Sequence, residues 1–314
     1  MSQGATSREY DIVIIGGGPA GLAAGLYAAR GRRRTALLEK GVIGGQISLT
    51  DLVENYPGVP MVNGFDLAQT MLKQAEGYGL ETEYAEVSEL ERAGNKWRIR
   101  SGSGGDFLAK AVIVTAGAEY NRLGVPGEER LTGRGVSYCA TCDAAFFKGQ
   151  EVAVAGGGDA ALDEGLFTAR FAEKVTVIHR RDQLRASRIL QERAFAHPKM
   201  HFLWNTVVEE ILGEDQVTGL KLRDVNTGEP GTMSVAAVFI FIGQHPNTGF
   251  LRGITPTDAA GHILVDDWMA TPAPGLFAAG DVRQNSARQV ASSVGDGVTA
   301  AIAADHYISN SFPD

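Results

Sequence analysis

The chain of 314 residues has a formal charge of −8, from 29 basic and 37 acidic residues, and 44% of it is apolar. This length exceeds what one compact core usually holds, so we expect two domains. The acidic balance argues against nucleic-acid backbones and anionic membranes as partners.

The chain starts with a polar segment, residues 1–10, that lacks the apolar stretch of a secretory signal. No apolar run approaches the length that spans a bilayer. The whole sequence contains two cysteines, and without an export signal so few are typical of a reducing compartment, where a disulfide is catalytic or transient. We therefore predict a cytoplasmic protein.

An apolar strand at 10–15 leads into a glycine turn and a helical pattern. The turn matches G-x-G-x-x-G: its first glycine allows the tight turn, the second lets the backbone approach a pyrophosphate, and the third packs helix on strand. The N-terminus of the helix offers N–H groups to phosphates. The turn residues are Gly16, Gly17, Gly18, Pro19, Ala20 and Gly21.

A second apolar strand, 35–39, ends in Glu39, 23 residues beyond Gly16. A carboxylate there would accept hydrogen bonds from ribose hydroxyls and repel a 2′-phosphate. A glycine turn alone also fits a structural bend, but turn and acid together predict a dinucleotide site. We interpret the arginines of the connection, with a docking patch as the alternative, as a solvated turn; they are Arg30, Arg32, Arg33 and Arg34.

Two polar segments, 44–47 and 53–58, are predicted as loops of the kind that meet ligands. Apolar spacing predicts a helix over 65–78. Another buried strand, 111–115, is followed by Ala116-Gly117-Ala118, which are small enough for close backbone approach. The first domain pauses there.

The two cysteines, Cys139 and Cys142, form a C-x-x-C pair. Two thiols at this spacing can close a small disulfide ring, as in thioredoxin-like redox sites. So short a loop constrains the unfolded chain weakly, which favours a redox role over a stabilising one. A zinc site would need further His or Cys ligands, and none lies near in the sequence. Two unrelated buried cysteines remain the structural alternative, and no metal site is predicted.

The strand–turn–helix pattern then repeats. A strand at 151–155 leads into Gly156-Gly157-Gly158-Asp159-Ala160-Ala161, where the fingerprint permits Ala161. The following strand, 174–178, ends at His179-Arg180-Arg181, again 23 residues beyond the first glycine.

The same position of the two repeats therefore has opposite charge. Guanidinium groups suit a 2′-phosphate, which they bind through paired hydrogen bonds. Arg180, Arg181 and Arg185 thus predict NADPH at the second turn, with a solvated loop as the alternative. His179 alone is as often structural.

A strand at 238–242 ends the second nucleotide-binding unit, and the first domain resumes after it. Asp281, in Gly280-Asp281-Val282 after the strand 276–279, could bind a ribityl or ribose hydroxyl or be an ordinary turn residue. A helix is predicted from Arg288-Gln289-Val290 onward, and its N-terminal end could stabilise a reduced flavin.

These patterns predict an α/β protein with two Rossmann-like nucleotide-binding domains, the second inserted into the first. The domains are 1–118 with 246–314 for FAD, and 119–245 for NADPH together with the cysteines. NADPH delivers two electrons as a hydride, and a flavin is the carrier that can pass them to sulfur. FAD fits the first turn because its adenosine ribose lacks the extra phosphate.

From Asp11 to about Tyr307 the chain resembles the bacterial, low-molecular-weight thioredoxin reductases. The resemblance is carried by both glycine turns, by the two loops at 44–46 and 53–58, by Cys139 to Asp143, by the arginine segment and by 280–282 with Arg288-Gln289. It implies that NADPH reduces FAD, FAD reduces the cysteine pair, and the dithiol reduces thioredoxin. It also implies a homodimer whose inserted domain swings on hinges near 118–120 and 243–245.

By position, the resemblance makes Cys139 the nucleophile toward thioredoxin and Cys142 the sulfur against the flavin. Asp143 would move the proton, with a helix cap as its alternative role, and Arg134 would contact thioredoxin. The implied cofactor-binding residues are Gly16, Gly18, Pro19, Ala20, Gly21, Glu39, Gly45, Gln46, Asn55, Ala116, Gly117, Gly280, Asp281, Arg288 and Gln289 for FAD, and Gly156, Gly158, Asp159, Ala160, His179, Arg180, Arg181 and Arg185 for NADPH.

Two residues depart from the commonest pattern of the family: Ala144, where many members have Gly, and Asp159, where many have Asn. The charge of Asp159 predicts weaker NADPH binding. Two other functions stay open at this point. One is a related flavin disulfide reductase that serves another small redox protein; the other is a nucleotide-sensing module whose cysteines are a regulatory switch.

Overall fold

The computed structural model describes residues 8–50, 53–102 and 105–313. The first seven residues of the polar start lie outside the described residues, and so does the side chain of Cys142. The chain divides into two units, Met1–Glu119 with His245–Asp314, and Tyr120–Gln244. Both boundaries lie within one residue of the predicted ones.

The elements follow in chain order. The strands are β1 (Arg8–Ile15), β2 (Thr35–Glu39), β3 (Glu81–Tyr84), β4 (Val87–Ala93), β5 (Lys96–Ser101), β6 (Phe107–Val114), β7 (Ala118–Tyr120), β8 (Val136–Ser137), β9 (Glu151–Gly156), β10 (Lys174–Ile178), β11 (Met200–Leu203), β12 (Thr206–Leu212), β13 (Gly219–Asp224), β14 (Pro230–Met233), β15 (Ala237–Phe241), β16 (Gln244–Pro246) and β17 (Leu276–Ala278). The helices are α1 (Pro19–Arg30), α2 (Gly64–Glu76), α3 (Glu128–Leu131), α4 (Ala140–Asp143), α5 (Asp159–Ala169), α6 (Arg188–Ala196) and α7 (Val290–Ser311).

The first unit is organised on a sheet of order β3-β2-β1-β6-β5-β4, with β17 also paired to β6. The pairs among β1, β2, β3, β6 and β17 are parallel. Residues 12–15 of β1 are an unbroken apolar run, because both faces of the strand are buried there. Ile12 and Ile14 pack in the cluster that includes α1 and α7, and Val13 packs on the opposite face with Trp97 and Phe107.

The second unit repeats this plan, with a parallel sheet of order β11-β10-β9-β15-β8 and a separate antiparallel sheet, β12-β13-β14. Val152 and Val154 of β9 pack with Leu162 of α5, while Ala153 and Ala155 face the cluster formed with the antiparallel sheet. In both units the glycine turn therefore joins a central parallel strand to the helix that follows it, β1 to α1 in the first unit and β9 to α5 in the second.

Several element boundaries differ from the prediction. The 44–47 loop is mostly a 3-10 helix, Gly45–Leu49. α2 begins after Asn63, whose side chain accepts hydrogen bonds from the amides of Phe65 and Asp66, and ends before Gly77. α7 begins at Val290 rather than at Arg288, because Arg288 has a left-handed φ of 55°.

None of the helices in the described part of the chain has the length and apolar character needed to cross a membrane.

Candidate active site

The first glycine turn is held tightly between β1, β6 and α1. Gly16 has a φ of +111°, and a Cβ on it would lie 2.4 Å from the carbonyl oxygen of Thr115. A Cβ on Gly21 would lie 2.0 Å from the carbonyl oxygen of Gly16. Gly18, the N-cap residue immediately before α1, instead has open space where a Cβ would be. The turn thus leaves one open face, at the N-terminus of a 12-residue helix, where a pyrophosphate can approach the backbone.

Glu39 is fixed against this turn. One carboxylate oxygen accepts a hydrogen bond from the amide of Gly17 and the other from the amide of Gly41, both at 2.7 Å. The position where Gly45 would carry a Cβ is 3.5 Å from the Cα of Gly18, so the 3-10 segment lies beside the open face. A carboxylate held in this way presents its remaining lone pairs to hydroxyl groups.

Other predicted residues of the first unit take part in hydrogen bonds within that unit. Gln46 donates from Nε2 to the carbonyl oxygen of Ala118 at 2.5 Å. Asn247 donates from Nδ2 to the carbonyl oxygen of Ala116 at 2.9 Å. Asn55, exposed, donates to Gln289 at the start of α7, with a distance of 3.1 Å between Nδ2 and Oε1. Asn247 was not predicted, because nothing in its local sequence marks it.

Asp281 lies in a short 3-10 helix, Gly280–Val282, that follows β17. Burial raises the pKa of its carboxyl group, and Ser286 donates a hydrogen bond to it at 3.2 Å. The turn is held by Asp296 of α7, which accepts from Gly280 N and makes a two-fold ion pair with Arg283 at 2.6 and 2.8 Å. This ion pair was not predicted from the sequence.

The second glycine turn has the same construction in the second unit. A Cβ on Gly156, whose φ is +154°, would lie 2.3 Å from the carbonyl oxygen of Phe241. Gly158 is the N-cap residue immediately before α5 and again has open space around the position of a Cβ. Asp159 is exposed, and its Oδ1 accepts a hydrogen bond from the amide of Ser187 at 2.5 Å.

His179 occupies the position in the second repeat that Glu39 occupies in the first, but it makes different contacts. Its buried ring fills the space beside Gly157, where a Cβ would lie 2.3 Å from Nδ1, and its Nε2 is 3.0 Å from the carbonyl oxygen of Gln183. Burial and the positive charges of Arg185, Arg181 and Arg180 lower the pKa of the imidazole. His179 therefore shapes the loop as a neutral ring.

The predicted arginines form an exposed cluster on the loop after β10. Arg180, Arg181 and Arg185 are exposed, and all three act electrostatically on His179. The amide of Arg185 donates to the carbonyl oxygen of Gly157 at 2.7 Å, which ties this loop to the glycine turn. The geometry suits an anionic group attached to a ligand at the turn.

The cysteine segment lies between β8 and β9 of the same unit. The sulfur of Cys139 is in a disulfide bond and is 3.3 Å from Thr141 Oγ1. Ser137 Oγ accepts from the amide of Cys139 at 3.0 Å. Asp143 ends α4, is partly buried, and makes no side-chain capping hydrogen bond to the 3-10 helix that follows. The capping role considered for Asp143 is therefore not observed.

A carboxylate that sequence reasoning missed lies against this segment. Glu164, on α5, accepts a hydrogen bond from the amide of Ala140 at 3.1 Å. Its partner is distant in sequence, and helical spacing gave no reason to connect the two.

Comparison with known proteins agrees with this geometry. Residues 10–297 match the family model described as pyridine nucleotide-disulphide oxidoreductase. The chain is 45% identical over 302 residues to a thioredoxin reductase of Bacillus subtilis, covering 96% of this chain and 95% of that protein. It is 46% identical to a thioredoxin reductase of Listeria monocytogenes, covering 96% and 94%. The crystal structure of Lactococcus lactis thioredoxin reductase superposes with a TM-score of 0.93 at 44% identity, covering 96% and 99%.

Proposed function

The chain belongs to the pyridine nucleotide-disulphide oxidoreductases and, within them, to the thioredoxin reductases, which use FAD and NADPH, and we propose here which of its residues carry that reaction. Family membership confirms the predicted fold class, enzyme class and pair of cofactors. One observation carries the residue assignment. Two matching glycine turns have opposite charge at one register position, Glu39 in the first and the arginine cluster in the second.

We assign FAD to the first unit, as the domain formed by 1–118 and 246–314. The open face at Gly18 leaves room for the pyrophosphate, and Glu39 has hydrogen-bonding capacity for the adenosine ribose. The half-buried Asp281 is suited to a hydroxyl of the ribityl chain, because a carboxyl that has lost part of its water gains from such a partner. Further proposed contacts are Gly16, Pro19, Ala20, Gly21, Gly45, Gln46, Asn55, Ala116, Gly117, Gly280, Arg288 and Gln289.

We assign NADPH to the second unit, as the domain 119–245. Gly158 and the N-terminus of α5 would receive the pyrophosphate, and the guanidinium groups of Arg180, Arg181 and Arg185 would bind the 2′-phosphate. His179 would act through the loop that it supports. The other proposed contacts are Gly156, Asp159 and Ala160.

FAD, when bound, accepts a hydride from NADPH and supplies two electrons to a disulfide. We propose that Cys139, as a thiolate, attacks the disulfide of thioredoxin, forming a mixed disulfide and releasing one thioredoxin sulfur. Cys142 then attacks the sulfur of Cys139, which restores the internal disulfide and releases the second thioredoxin sulfur. Asp143 would supply the proton that a departing thiolate takes up. Cys142 would also be the sulfur that receives electrons from the flavin.

The test is NADPH-dependent reduction of a thioredoxin disulfide by the purified holoenzyme. We expect Cys139→Ser to reduce turnover to background while NADPH still bleaches the flavin absorbance, because the first electron transfer does not need this sulfur. Retained turnover in Cys139→Ser would falsify the assigned route. A chain that binds NADPH without any flavin spectrum would instead support the nucleotide-sensing alternative.

Docking of thioredoxin is proposed to involve Arg134. The residue is exposed and lies five positions before Cys139, with the short strand β8 between the two. Because a charge at the rim of an interface mainly affects encounter, Arg134→Ala should raise the KM for thioredoxin about threefold to tenfold and leave the KM for NADPH unchanged. Arg170→Ala is the matched control, since Arg170 is also exposed but stacks on Phe167 of its own unit. Equal KM values for thioredoxin in the two variants would remove Arg134 from the docking surface.

We also propose that the protein is a cytoplasmic homodimer. The support is its family membership together with the sparse cysteines, which fit a compartment where disulfides are transient. Analytical ultracentrifugation of the holoenzyme should give twice the chain mass. A monomer at micromolar concentration would contradict the dimer.

A further inference from the structure

Glu164 has no role in the reaction described above, yet it contacts the cysteine segment directly. Its carboxylate accepts the amide hydrogen of Ala140 at 3.1 Å and also that of Thr141. These are the first two residues after Cys139, and the Thr141 hydroxyl is 3.3 Å from the sulfur of Cys139. A potential negative charge is thus anchored on the backbone that directly follows one of the two sulfurs.

The pKa of the Glu164 carboxyl group lies close to neutral pH. Burial, followed by the negative charge of Asp163, raises the pKa of Glu164 to about 7, although the two amide hydrogen bonds oppose the rise. Within the described part of the chain, Asp163 of the same helix and the amides of Ala140 and Thr141 are the groups that act on it. Near neutral pH both its charged and its neutral forms are populated.

Such a group affects the thiols formed when the disulfide is reduced. Reduction adds two electrons and breaks the S–S bond; uptake of two protons gives two thiols, whereas uptake of one gives a thiol and a thiolate. Free amide N–H groups near a sulfur stabilise its thiolate, and a nearby negative charge destabilises it. Glu164 engages two such amides and adds its own charge, so both effects disfavour the thiolate.

A reduced form that is less stable makes the dithiol a stronger reductant, the converse of the strongly oxidising disulfides whose reduced forms are stabilised. We propose that Glu164 is a positioning residue that holds the backbone after Cys139 and keeps the reduction potential of the cysteine pair low. This inference rests on the proposed redox role of Cys139 and Cys142.

The experiment equilibrates the holoenzyme with mixtures of reduced and oxidised dithiothreitol at pH 8.5, where a thiolate is populated, and quantifies the cysteine dithiol by alkylation. Glu164→Gln keeps the size and one oxygen acceptor but removes the charge. A charge several ångströms away in a partly buried site changes a thiol acidity by about tenfold. We therefore expect reduction to become about fivefold more favourable, which corresponds to about 20 mV.

Asp163→Asn is the matched control, because it removes the same charge from the adjacent, exposed residue of α5. The equilibrium constant for reduction of this variant by dithiothreitol should stay within twofold of the wild-type value. Equal constants for wild type and Glu164→Gln, or an equal change in both variants, would overturn the inference. Loss of NADPH-dependent reduction in the wild-type protein would instead overturn the proposed function.

A second measurement uses only the wild-type chain, in case Glu164→Gln folds poorly. Infrared difference spectra between the oxidised and reduced cysteine pair at pH 8.5 should show gain of a protonated-carboxyl band on reduction, because a new thiolate favours the neutral form of Glu164. The absence of this band would contradict coupling between the carboxylate and the sulfur.

Discussion

The two glycine turns can be compared residue by residue, since the stretch from Gly16 to Glu39 has its counterpart 140 positions later, from Gly156 to His179. In each turn a Cβ on the middle glycine, Gly18 or Gly158, would have no neighbour within 4 Å. A Cβ on the first glycine would instead clash with a backbone carbonyl oxygen. They differ at the end of the next strand. Glu39 binds the amide of Gly17 through a carboxylate, whereas His179 packs a neutral ring on Gly157 and leaves arginines exposed around it. In the proposed function the shared scaffold binds a dinucleotide, and this one position would select which ribose each turn accepts.

A second difference lies on the helices. Ala24 of α1 is completely buried, and its counterpart on α5 is Glu164. In the first unit this stretch of α1 packs in an apolar cluster with α7. In the second it faces the cysteine segment, whose backbone amides need acceptors. Equivalent positions of the two helices thus have an apolar residue where the surroundings are apolar and a hydrogen-bond acceptor where they are backbone amides.

The largest expected effect tests the tightness of the first turn. Gly21→Ala would place a Cβ 2.0 Å from the carbonyl oxygen of Gly16, a distance that backbone atoms cannot accommodate without movement. We expect the variant to retain at least tenfold less flavin per chain, measured from the visible absorbance after purification. The second turn already has Ala161 at the equivalent position, buried completely.

The reciprocal change, Ala161→Gly, serves as the control. It removes one buried methyl group and adds backbone freedom, so it should lower the free energy of unfolding by about 1 kcal/mol and leave the KM for NADPH within twofold. Equal flavin content in Gly21→Ala and wild type would show that the two turns tolerate the same residues.

The sequence predicts these turns well because their glycines are required by the backbone itself. The central parallel strands of both sheets were also predictable, since strands buried on two faces, such as β15, are continuous apolar runs. The short parallel strands β3, β8 and β11 were not predicted. The antiparallel strands β4, β5 and β12 to β14 were not predicted. Their exposure alternates or varies along the strand, so no apolar run marks them.

The site was predictable where chemistry depends on residue type at a fixed spacing, as for Glu39 and the cysteine pair. It was not predictable where a residue acts through a distant backbone group. Glu164 lies 24 residues from the amide of Ala140, and Asn247 lies 131 residues from the carbonyl of Ala116. Only the folded chain brings these atoms together.

The next prediction removes the charge difference between the turns. In Arg180→Ala/Arg181→Ala, two charge-assisted hydrogen bonds to the 2′-phosphate are lost at an exposed site, about 2–3 kcal/mol in all. The KM for NADPH should therefore rise about 30-fold to 100-fold, while the KM for NADH stays unchanged. Arg30→Ala, an exposed arginine of the first unit, should alter neither value. A parallel rise for both nucleotides would mean that the arginines do not read the 2′-phosphate.

A smaller expected effect tests the comparison of α1 with α5, through the pH dependence of the free energy of unfolding. The pKa of Glu164 is raised from an ordinary 4.5 to about 7, so between these values the folded chain holds a proton that the unfolded chain has lost. The free energy of unfolding must then fall as pH rises through this window, and the full penalty is present above pH 7. After allowance for partial exposure the penalty is about 2 kcal/mol.

Glu164→Gln removes this penalty. Its melting temperature relative to wild type should be a few degrees higher at pH 8 than at pH 5, measured on holoenzyme by circular dichroism. A difference that does not depend on pH would show that Glu164 titrates normally.

The smallest expected effect concerns Asp159, whose counterpart in the first turn is the uncharged Pro19. The Asp159 carboxylate lies at the N-terminus of α5, where the pyrophosphate is proposed to bind, so the two negative charges repel. Asn can still accept the hydrogen bond from the amide of Ser187. Asp159→Asn should therefore lower the KM for NADPH about twofold to fivefold, whereas Asp163→Asn, further along the same helix, should change it less.

Because an acid at a helix N-terminus stabilises the helix, Asp159→Asn should also lower the free energy of unfolding by a few tenths of a kcal/mol. Tighter NADPH binding in a less stable chain separates local repulsion from a general change in folding, and an unchanged KM would leave the charge of Asp159 without influence on the second turn.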